Sequence, residues 1–203
     1  MVAIAEPTKL TAPTKHRFTV GQYYKMAAVG ILDVEQRTEL IDGEIIEMSP
    51  IGTKHAACLS KLADLLRDRT RNLAAVRQQN PIRLSDRSEP QPDIVLVSDR
   101  QDYYAEYHPI PSEIFLLIEV SDSTLKYDRE VKALLYAKAG IPELWIANLE
   151  AQVFEVYRQP SETGYENVQI YGKGEIINLQ ILPDVAIAVD DIFYNALRSN
   201  QNQ

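Results

Sequence analysis

The chain of 203 residues carries 21 Lys plus Arg against 29 Asp plus Glu and is 45% hydrophobic, which is the composition of an ordinary globular protein. Its single cysteine, Cys58, excludes an internal disulfide and a cysteine-rich zinc site, and it favours a reducing compartment such as the cytoplasm. The apolar runs are far shorter than the roughly 20 residues of a membrane span, and no secretory signal is recognised, so we expect no membrane association.

The net charge of −8 argues against a protein that coats nucleic acid, but the charge is distributed unevenly. Residues 54–87, the basic segment, hold eight Lys and Arg against three Asp, which leaves +5 there and −13 on the rest of the chain. A solvated basic face and a phosphate-facing surface account for this equally well. The asymmetry therefore permits an anionic partner without requiring one.

The chain opens with an expected flexible arm, residues 1–17, which lacks apolar periodicity and holds two prolines. Apolar residues at helical spacing then predict a short helix over Thr19–Val29. Two short strand patterns in Thr38–Met48 flank Asp42-Gly43, a dipeptide typical of tight turns, and together they predict a β-hairpin. A second amphipathic pattern predicts the first long helix, Lys54–Arg71.

Four short β-rich segments follow and predict strands of one sheet. They are Ala74–Gln78, Pro81–Leu84, Asp93–Val97 and Phe115–Ser121. The runs Ile94–Val97 and Ile114–Ile118 are continuously apolar, which is typical of central strands covered on both faces. A second long helix is predicted over Asp128–Ala139. Its predicted apolar stripe consists of Val131, Leu134, Leu135 and Ala139.

The remaining chain predicts more strands and a closing helix. These elements are the strands Glu143–Asn148, Gln152–Tyr157, Val168–Tyr171 and Ile176–Leu179 and a short helix over Val189–Leu197. We expect one domain over residues 18–197, followed by a disordered tail over residues 198–203. The predicted fold class is α/β (α+β), with a mixed central β-sheet flanked by helices on both faces and additional hairpins.

Two carboxylates stand at the ends of the predicted central strands. Asp93 precedes Ile94–Val97, and Glu119 follows Ile114–Ile118. An isolated carboxylate is costly to bury, so each needs a partner, a metal or exposure at a strand end. For either acid alone, exposure is the simpler interpretation. If the strands are neighbours, however, the pair forms a site of oxygen ligands for a hard divalent cation that activates water.

Three polar residues share one face of the second long helix. Asp128, Lys132 and Tyr136 are spaced i, i+4, i+8, and this face differs from the predicted apolar stripe. One interpretation is an exposed ion pair beside a surface tyrosine. The other is that Lys132 is a cation beside the acids, where it orients water or stabilises developing negative charge.

These residues resemble a restriction-endonuclease-like family, long carried as a domain of unknown function, within the PD-(D/E)XK nuclease superfamily. The resembling motifs are Gly43-Glu44, Met48-Ser49-Pro50, His55, Gln91-Pro92-Asp93, Ile118-Glu119-Val120-Ser121, Asp128, Lys132, Tyr136, Gly140 and Glu143-Leu144-Trp145. The resemblance covers residues 18–195 approximately, and its specificity lies in the combined order of the motifs.

The resemblance implies a restriction-endonuclease-like core and metal-dependent hydrolysis of DNA phosphodiester bonds that leaves a 5′-phosphate and a 3′-hydroxyl. It implies that Asp93 and Glu119 are ligands to Mg²⁺ or Mn²⁺ and that the backbone carbonyl of Val120 completes the site. Glu44 would be an additional acid near the metal. Related proteins pair two active sites, so a homodimer is a further expectation.

The chain departs from the superfamily pattern at Ser121, where a lysine is expected two residues after the second acid. Lys132 matches the position to which this lysine has moved in similar sequences, and Lys126 is a second, weaker substitute. His55, at the start of the first long helix, is either a polar capping group or a ligand for metal or phosphate.

Two other functions fit the same residues. The Ser121 departure and the acidic balance are also compatible with a catalytically inactive nuclease fold that binds nucleic acid or protein. A glycoside hydrolase would use Asp93 and Glu119 as its acid and base, but few aromatic residues stand near either acid to stack on a sugar. Without a modular DNA-reading element, specificity would depend on loops such as Ser98–Ile114.

Overall fold

The structure is a computed structural model that describes residues 14–33 and 35–193. Most of the predicted arm, the predicted tail over residues 198–203 and the last four residues of the predicted closing helix lie outside the described residues. The hairpin, the helices and most of the strands lie where the sequence predicts them, with shifts of a few residues at their ends.

Helices are interspersed among groups of consecutive strands in the described part of the chain. The helices are α1 (Val20–Ala28), α2 (Thr53–Arg69), α3, which runs without a break through Leu125–Tyr127, Asp128–Lys132 and Ala133–Lys138, and α4 (Val189–Phe193). The strands are β1 (Thr38–Ile41), β2 (Glu44–Glu47), β3 (Ala75–Gln78), β4 (Ile94–Val97), β5 (Ile114–Ser121), β6 (Glu143–Asn148), β7 (Val153–Ser161), β8 (Gly164–Tyr171), β9 (Ile176–Asn178) and β10 (Ala186–Ala188).

Six of the strands in the described part of the chain form one mixed sheet in the order β3-β4-β5-β6-β7-β8. Strands β5 and β6 are parallel, and the other neighbouring pairs are antiparallel. A parallel pair needs a crossover that returns the chain to the same end of the sheet, and α3 provides it. Two separate hairpins, β1–β2 and β9–β10, complete the strand pairing.

Helices cover both faces of the sheet, as the apolar runs predict. On one face, α2 and the sheet share a core that includes Leu62, Leu66, Ile94, Leu116, Ile118 and Trp145. On the other face, α3 and the sheet share a core that includes Val95, Leu117, Ala133, Tyr136 and Ile146. Successive residues of a strand point to opposite faces, so β4 and β5 contribute to both cores, and this explains their unbroken apolar character.

The β1–β2 hairpin turns on Asp42 and Gly43, which both have positive φ, at +48° and +76°. Glycine is needed here for space as well as for conformation, because a Cβ on Gly43 would lie 2.7 Å from the Cβ of Arg17. Arg17 also donates a hydrogen bond to the Asp42 carbonyl at 2.9 Å. The end of the predicted arm is therefore packed against the hairpin.

The predicted strand Pro81–Leu84 is wrong. The Ile82 and Leu84 N–H groups donate to the carbonyls of Pro90 and Ser88, whereas that of Arg83 donates to Pro109. Because its hydrogen bonds divide between two different loops, the segment forms no continuous ladder and stays irregular.

The predicted apolar stripe of α3 is wrong in part. Leu135 and Ala139 are half-buried and pack against the second core, but Val131 is 38% exposed. The helix also buries Asp128, Lys132 and Tyr136. Polar groups can be buried only where partners satisfy them, and hydrophobic periodicity does not reveal such partners. The residues Asp128–Lys132 form a π-helical turn, a feature frequent at functional sites.

Candidate active site

A cleft of about 320 Å³ opens at the edge of the sheet where β4 begins and β5 ends. Six of the candidate site residues from the sequence line it together. They are His55, Asp93, Glu119, Val120, Asp128 and Lys132.

The register of β4 and β5 places the two acids opposite each other. Ile94 pairs with Ile118, and Asp93 and Glu119 are the next residues outward on each strand. Directly opposed residues of an antiparallel pair lie on the same face. The expectation that adjacent central strands bring both acids to one edge is therefore met.

Three hydrogen bonds fix the Asp93 carboxylate. His55 Nε2 lies 3.0 Å from Oδ2, the Val120 N–H donates to Oδ2 at 2.8 Å, and Gln79 Nε2 donates to Oδ1 at 3.2 Å. Burial raises the pKa of Asp93, but these partners outweigh it and hold the pKa below its ordinary value. The hydrogen bond to Asp93 in turn raises the pKa of His55. The Asp93 carboxylate is therefore ionised and fixed in position, and His55 holds it rather than capping α2.

Glu119 is buried and accepts two hydrogen bonds on the same oxygen. Lys132 Nζ donates to Oε1 at 3.2 Å, and the Tyr136 hydroxyl donates to Oε1 at 2.5 Å. No described residue donates to Oε2. Burial raises the pKa of Glu119 to about 8 against the opposing effect of Lys132. Burial therefore opposes the ionisation of Glu119 more strongly than Lys132 favours it.

Lys132 is shared with a second buried acid, Glu39. Its Nζ lies 3.4 Å from Glu39 Oε2, and the Gln91 N–H also donates to that oxygen at 3.0 Å. Burial lowers the pKa of Lys132, but Glu119 and Glu39 outweigh it and leave the pKa above its ordinary value. Lys132 is therefore a permanent cation here, suited to electrostatic work and not to proton abstraction.

Sequence reasoning missed Glu39. The signal was weak but present, because in the β1 pattern Glu39 shares a strand face with the buried Ile41. An acid on the apolar face of a half-buried strand requires a partner, and α3 supplies it from a distant part of the chain. Gln79, which donates to Asp93, carries no signal of its own, and Gln91, whose N–H donates to Glu39, was identified only as part of the Gln91-Pro92-Asp93 motif.

Ser121 does not replace the expected strand lysine. Its hydroxyl donates to Asp128 Oδ2 at 2.7 Å, and the Thr124 hydroxyl donates to the same oxygen at 2.7 Å. These bonds tie the end of β5 to the start of the π-helical turn that ends at Lys132. Ser121 and Asp128 therefore set the position of α3, and with it that of Lys132.

Two residues suggested by the resemblance lie elsewhere. Glu44 does not line the cleft, and it pairs with Arg17 at 3.1 Å and with Lys15 at 3.5 Å at the turn end of the hairpin. Lys126 is highly exposed and lies 3.9 Å from Glu130 on the surface of α3. The structure brings Glu39 to the cleft and not Glu44, and Lys132 to the cleft and not Lys126.

The donor set fits a hard divalent cation. Mg²⁺ commonly binds one or two carboxylates and keeps several waters, and the cleft offers Asp93, Glu119 and the peptide of Val120. Among the described residues, no group of three His, Cys, Asp or Glu side chains is arranged to hold a metal by itself. Backbone and water would therefore have to complete the coordination. A cation bound there would favour the ionised form of Glu119.

The fold and the cleft together define a class of protein. A putative nuclease belonging to DUF820 from Anabaena variabilis ATCC 29413 has the same fold, with a TM-score of 0.70. The two chains are 18% identical over 87% of this chain and 97% of that one. The predicted restriction-endonuclease-like α+β core is thereby confirmed.

The chain belongs to the Uma2 family, whose description is "Putative restriction endonuclease" and whose model matches residues 20–190. This match confirms the family resemblance of the motifs. None of the curated proteins compared matches the chain significantly. The described residues contain no helix that is both long and apolar enough to cross a membrane.

Proposed function

We propose that this protein is a divalent-metal-dependent endonuclease that hydrolyses DNA phosphodiester bonds. The observation that carries the proposal is the position of the Lys132 ammonium, which is buried between Glu119 and Glu39 in the cleft that Asp93 also lines. Membership of the Uma2 family and the fold of the DUF820 nuclease support it.

Asp93, Glu119 and the Val120 carbonyl would hold Mg²⁺ or Mn²⁺. Such an ion, when bound, lowers the pKa of water and stabilises negative charge that develops on a phosphate. Asp93 needs little rearrangement for this role, since three donors already fix its carboxylate. Preorganisation of this kind lowers the cost of assembling the site.

Lys132 would align the attacking water and stabilise the charge of the transition state. It is held by two acids from different elements, so its ammonium has little freedom to leave the cleft. Because it remains protonated, its contribution is electrostatic. The proton released by water would pass to solvent or to the departing oxygen.

Arg37 would contact the phosphate itself. It lines the cleft, and the one hydrogen bond that its side chain makes among the described residues goes to Gln91 Oε1 at 3.5 Å. No carboxylate of the described part of the chain forms an ion pair with it. An unpaired guanidinium is well suited to bidentate binding of phosphate oxygens.

Related nucleases pair two active sites to cut the two strands of a duplex, so we also propose that the active form is a homodimer. Sedimentation of the protein with and without duplex DNA tests this part. A single protein chain per particle, both without DNA and in the complex with DNA, would contradict the homodimer.

The test of the function is cleavage of a labelled DNA duplex by the wild type, by Asp93→Asn and by the control Glu162→Gln, which changes an exposed turn residue. We expect the wild type and the control to cleave with Mg²⁺ or Mn²⁺ and to leave 5′-phosphate ends. We expect Asp93→Asn, and every sample in EDTA, to be inactive.

Equal cleavage by Asp93→Asn would contradict the assignment. The folded wild type could instead fail to cleave DNA and still bind it without metal and independently of both acids. In that case the fold would act as a non-catalytic binding module.

A further inference from the structure

A second recess, of about 490 Å³, lies beside the edge strand β3. It is formed by α2, β3 and the loop between β4 and β5, and it shares no lining residue with the cleft in the described part of the chain. The residues used below are Arg67, Arg77, Gln78, Asn80, Tyr103 and Tyr104. We call it the β3 recess.

The β3 recess collects positive charge from the basic segment. Arg67 donates to Gln78 Oε1 at 2.6 Å, and its ion pair is with the highly exposed Asp64. Arg77 forms no ion pair with any carboxylate among the described residues, and its buried Nε has no hydrogen-bond partner there. Arg100 also lines the recess, but Asp102 neutralises it. Arg67 and Arg77 are therefore the cations available to an anion.

An exposed aromatic ring stands at the same place. Tyr103 and Tyr104 both have positive φ, at +51° and +61°, which is disfavoured for residues with a Cβ. Tyr104 is buried and donates to the Ser98 carbonyl, whereas Tyr103 is 80% exposed. Arg77 donates to the Tyr103 carbonyl at 3.1 Å and so helps to hold this turn. The turn presents a tyrosine ring to solvent beside two arginines.

The β3 recess and the cleft meet at the end of β3. Gln78 and Asn80 line the recess, while Gln79 between them lines the cleft and donates to Asp93. A polymer that crosses the end of this strand therefore contacts both. Guanidinium groups beside an exposed aromatic ring are the combination that binds phosphates and unpaired bases of single-stranded nucleic acid.

We propose that the β3 recess binds a single-stranded stretch of nucleic acid that flanks the phosphate in the cleft, with Arg67 and Arg77 on the backbone phosphates and Tyr103 stacked on a base. The proposal rests on the proposed function, since it assumes a nucleic-acid substrate. It gives the loop between β4 and β5 the role in substrate recognition that the sequence analysis expected.

Anisotropy of a fluorescein-labelled oligothymidylate of about 12 nucleotides, in EDTA, tests the proposal without cleavage. The variants are Tyr103→Asn, which removes the ring but tolerates positive φ, and Arg67→Gln. The control is Arg71→Gln, which removes an exposed arginine of the same helix-end region outside the recess. We expect Kd to rise about tenfold for Tyr103→Asn. For Arg67→Gln we expect the slope of log Kd against log salt concentration to fall by about 0.7, because one phosphate contact is lost.

The proposal is overturned if the folded wild type does not bind the oligonucleotide. It is also overturned if Tyr103→Asn binds like the wild type, or if Arg71→Gln weakens binding as much as Arg67→Gln, since diffuse charge would then explain the binding. Specific binding by a protein that cleaves no DNA would contradict the proposed function alone. If the wild type cleaves DNA but Tyr103→Asn binds the oligonucleotide as tightly as the wild type does, this inference alone is contradicted.

Discussion

Lys132 Nζ lies 3.4 Å from Glu39 Oε2, so a lysine of helix α3 neutralises a buried acid of the N-terminal hairpin. The same ammonium lies 3.2 Å from Glu119 Oε1, at the end of β5. One buried cation thus joins the hairpin, the central sheet and the crossover helix in the cleft. Removing Lys132 leaves Glu39 without its cation in a buried setting, whereas removing Glu39 leaves Lys132 paired with Glu119 alone.

Lys132→Gln should abolish most of the cleavage activity. We expect a fall in rate of at least about 100-fold, because the variant loses the charge that stabilises the transition state. Lys126→Gln, which changes the exposed lysine of the same helix, should leave the rate unchanged. Single-turnover cleavage of a labelled duplex in Mn²⁺ measures both.

Lys132→Gln should also lower the melting temperature, because Glu39 and Glu119 lose their shared cation. The double variant Glu39→Gln/Lys132→Gln should recover part of this loss and remain inactive. Recovery of activity in the double variant would contradict the role of Lys132.

Glu39 and Glu44 give opposite predictions. Glu39→Gln should lower the cleavage rate about 10- to 100-fold, since Glu39 holds Lys132 in position. Glu44→Gln should have no effect on the rate, because Glu44 pairs with Arg17 and Lys15 outside the cleft. Parallel rate measurements on the two variants decide between them. A loss confined to Glu44→Gln would show that the acid implied by the family resemblance is the functional one.

Ser121→Ala should destabilise the protein. The change leaves the buried Asp128 with one hydroxyl donor, Thr124, in place of two. Hydrogen bonds to charged groups contribute more than neutral ones, so we expect the free energy of unfolding to fall by about 2 kcal/mol. Urea unfolding monitored by circular dichroism measures it. Ser123→Ala, at an exposed bend, is the control. An equal loss of stability in that variant would contradict a stabilising role of the hydrogen bond from Ser121 to Asp128.

The Arg129–Glu155 pair predicts a pH dependence of stability away from the cleft. Burial raises the pKa of Glu155, but Arg129, which donates to its two carboxylate oxygens at 2.9 and 2.6 Å, lowers it below its ordinary value overall. A group with a lowered folded-state pKa stabilises the protein above its unfolded pKa, and this is lost as pH falls through the folded value.

The free energy of unfolding of the wild type should therefore exceed that of Glu155→Gln at pH 7. This difference should shrink below about pH 4. Urea unfolding at several pH values measures this difference. Glu150→Gln, in an exposed turn, supplies the matched control. A difference that stays constant down to about pH 3 would show that the pair contributes no pH-dependent stability.

The fold was largely predictable because local patterns determine it. Asp42-Gly43 specifies the hairpin turn, and the apolar runs of β4 and β5 indicate a sheet covered on both sides. Pro81–Leu84 was mispredicted because its hydrogen-bond partners lie in two loops, which no local pattern encodes.

The site was predictable only in part. Asp93 and Glu119 could be found because acids at the ends of central strands need a reason to be there. Glu39 was missed because its burial depends on Lys132, a contact between distant parts of the chain. Tyr103 was missed because its exposure depends on two successive positive φ angles, and tyrosine gives no sequence signal for that conformation.

The most direct test of the account is calorimetric titration of Mn²⁺ into the wild type and into Asp93→Asn/Glu119→Gln, each with a bound non-hydrolysable DNA analogue. Both proteins must first give the same circular dichroism spectrum. We predict saturable Mn²⁺ binding by the wild type that is lost in the double variant, because the two carboxylates are the protein ligands. Absence of binding by the wild type, or equal binding by both proteins, would contradict a metal centre at Asp93 and Glu119.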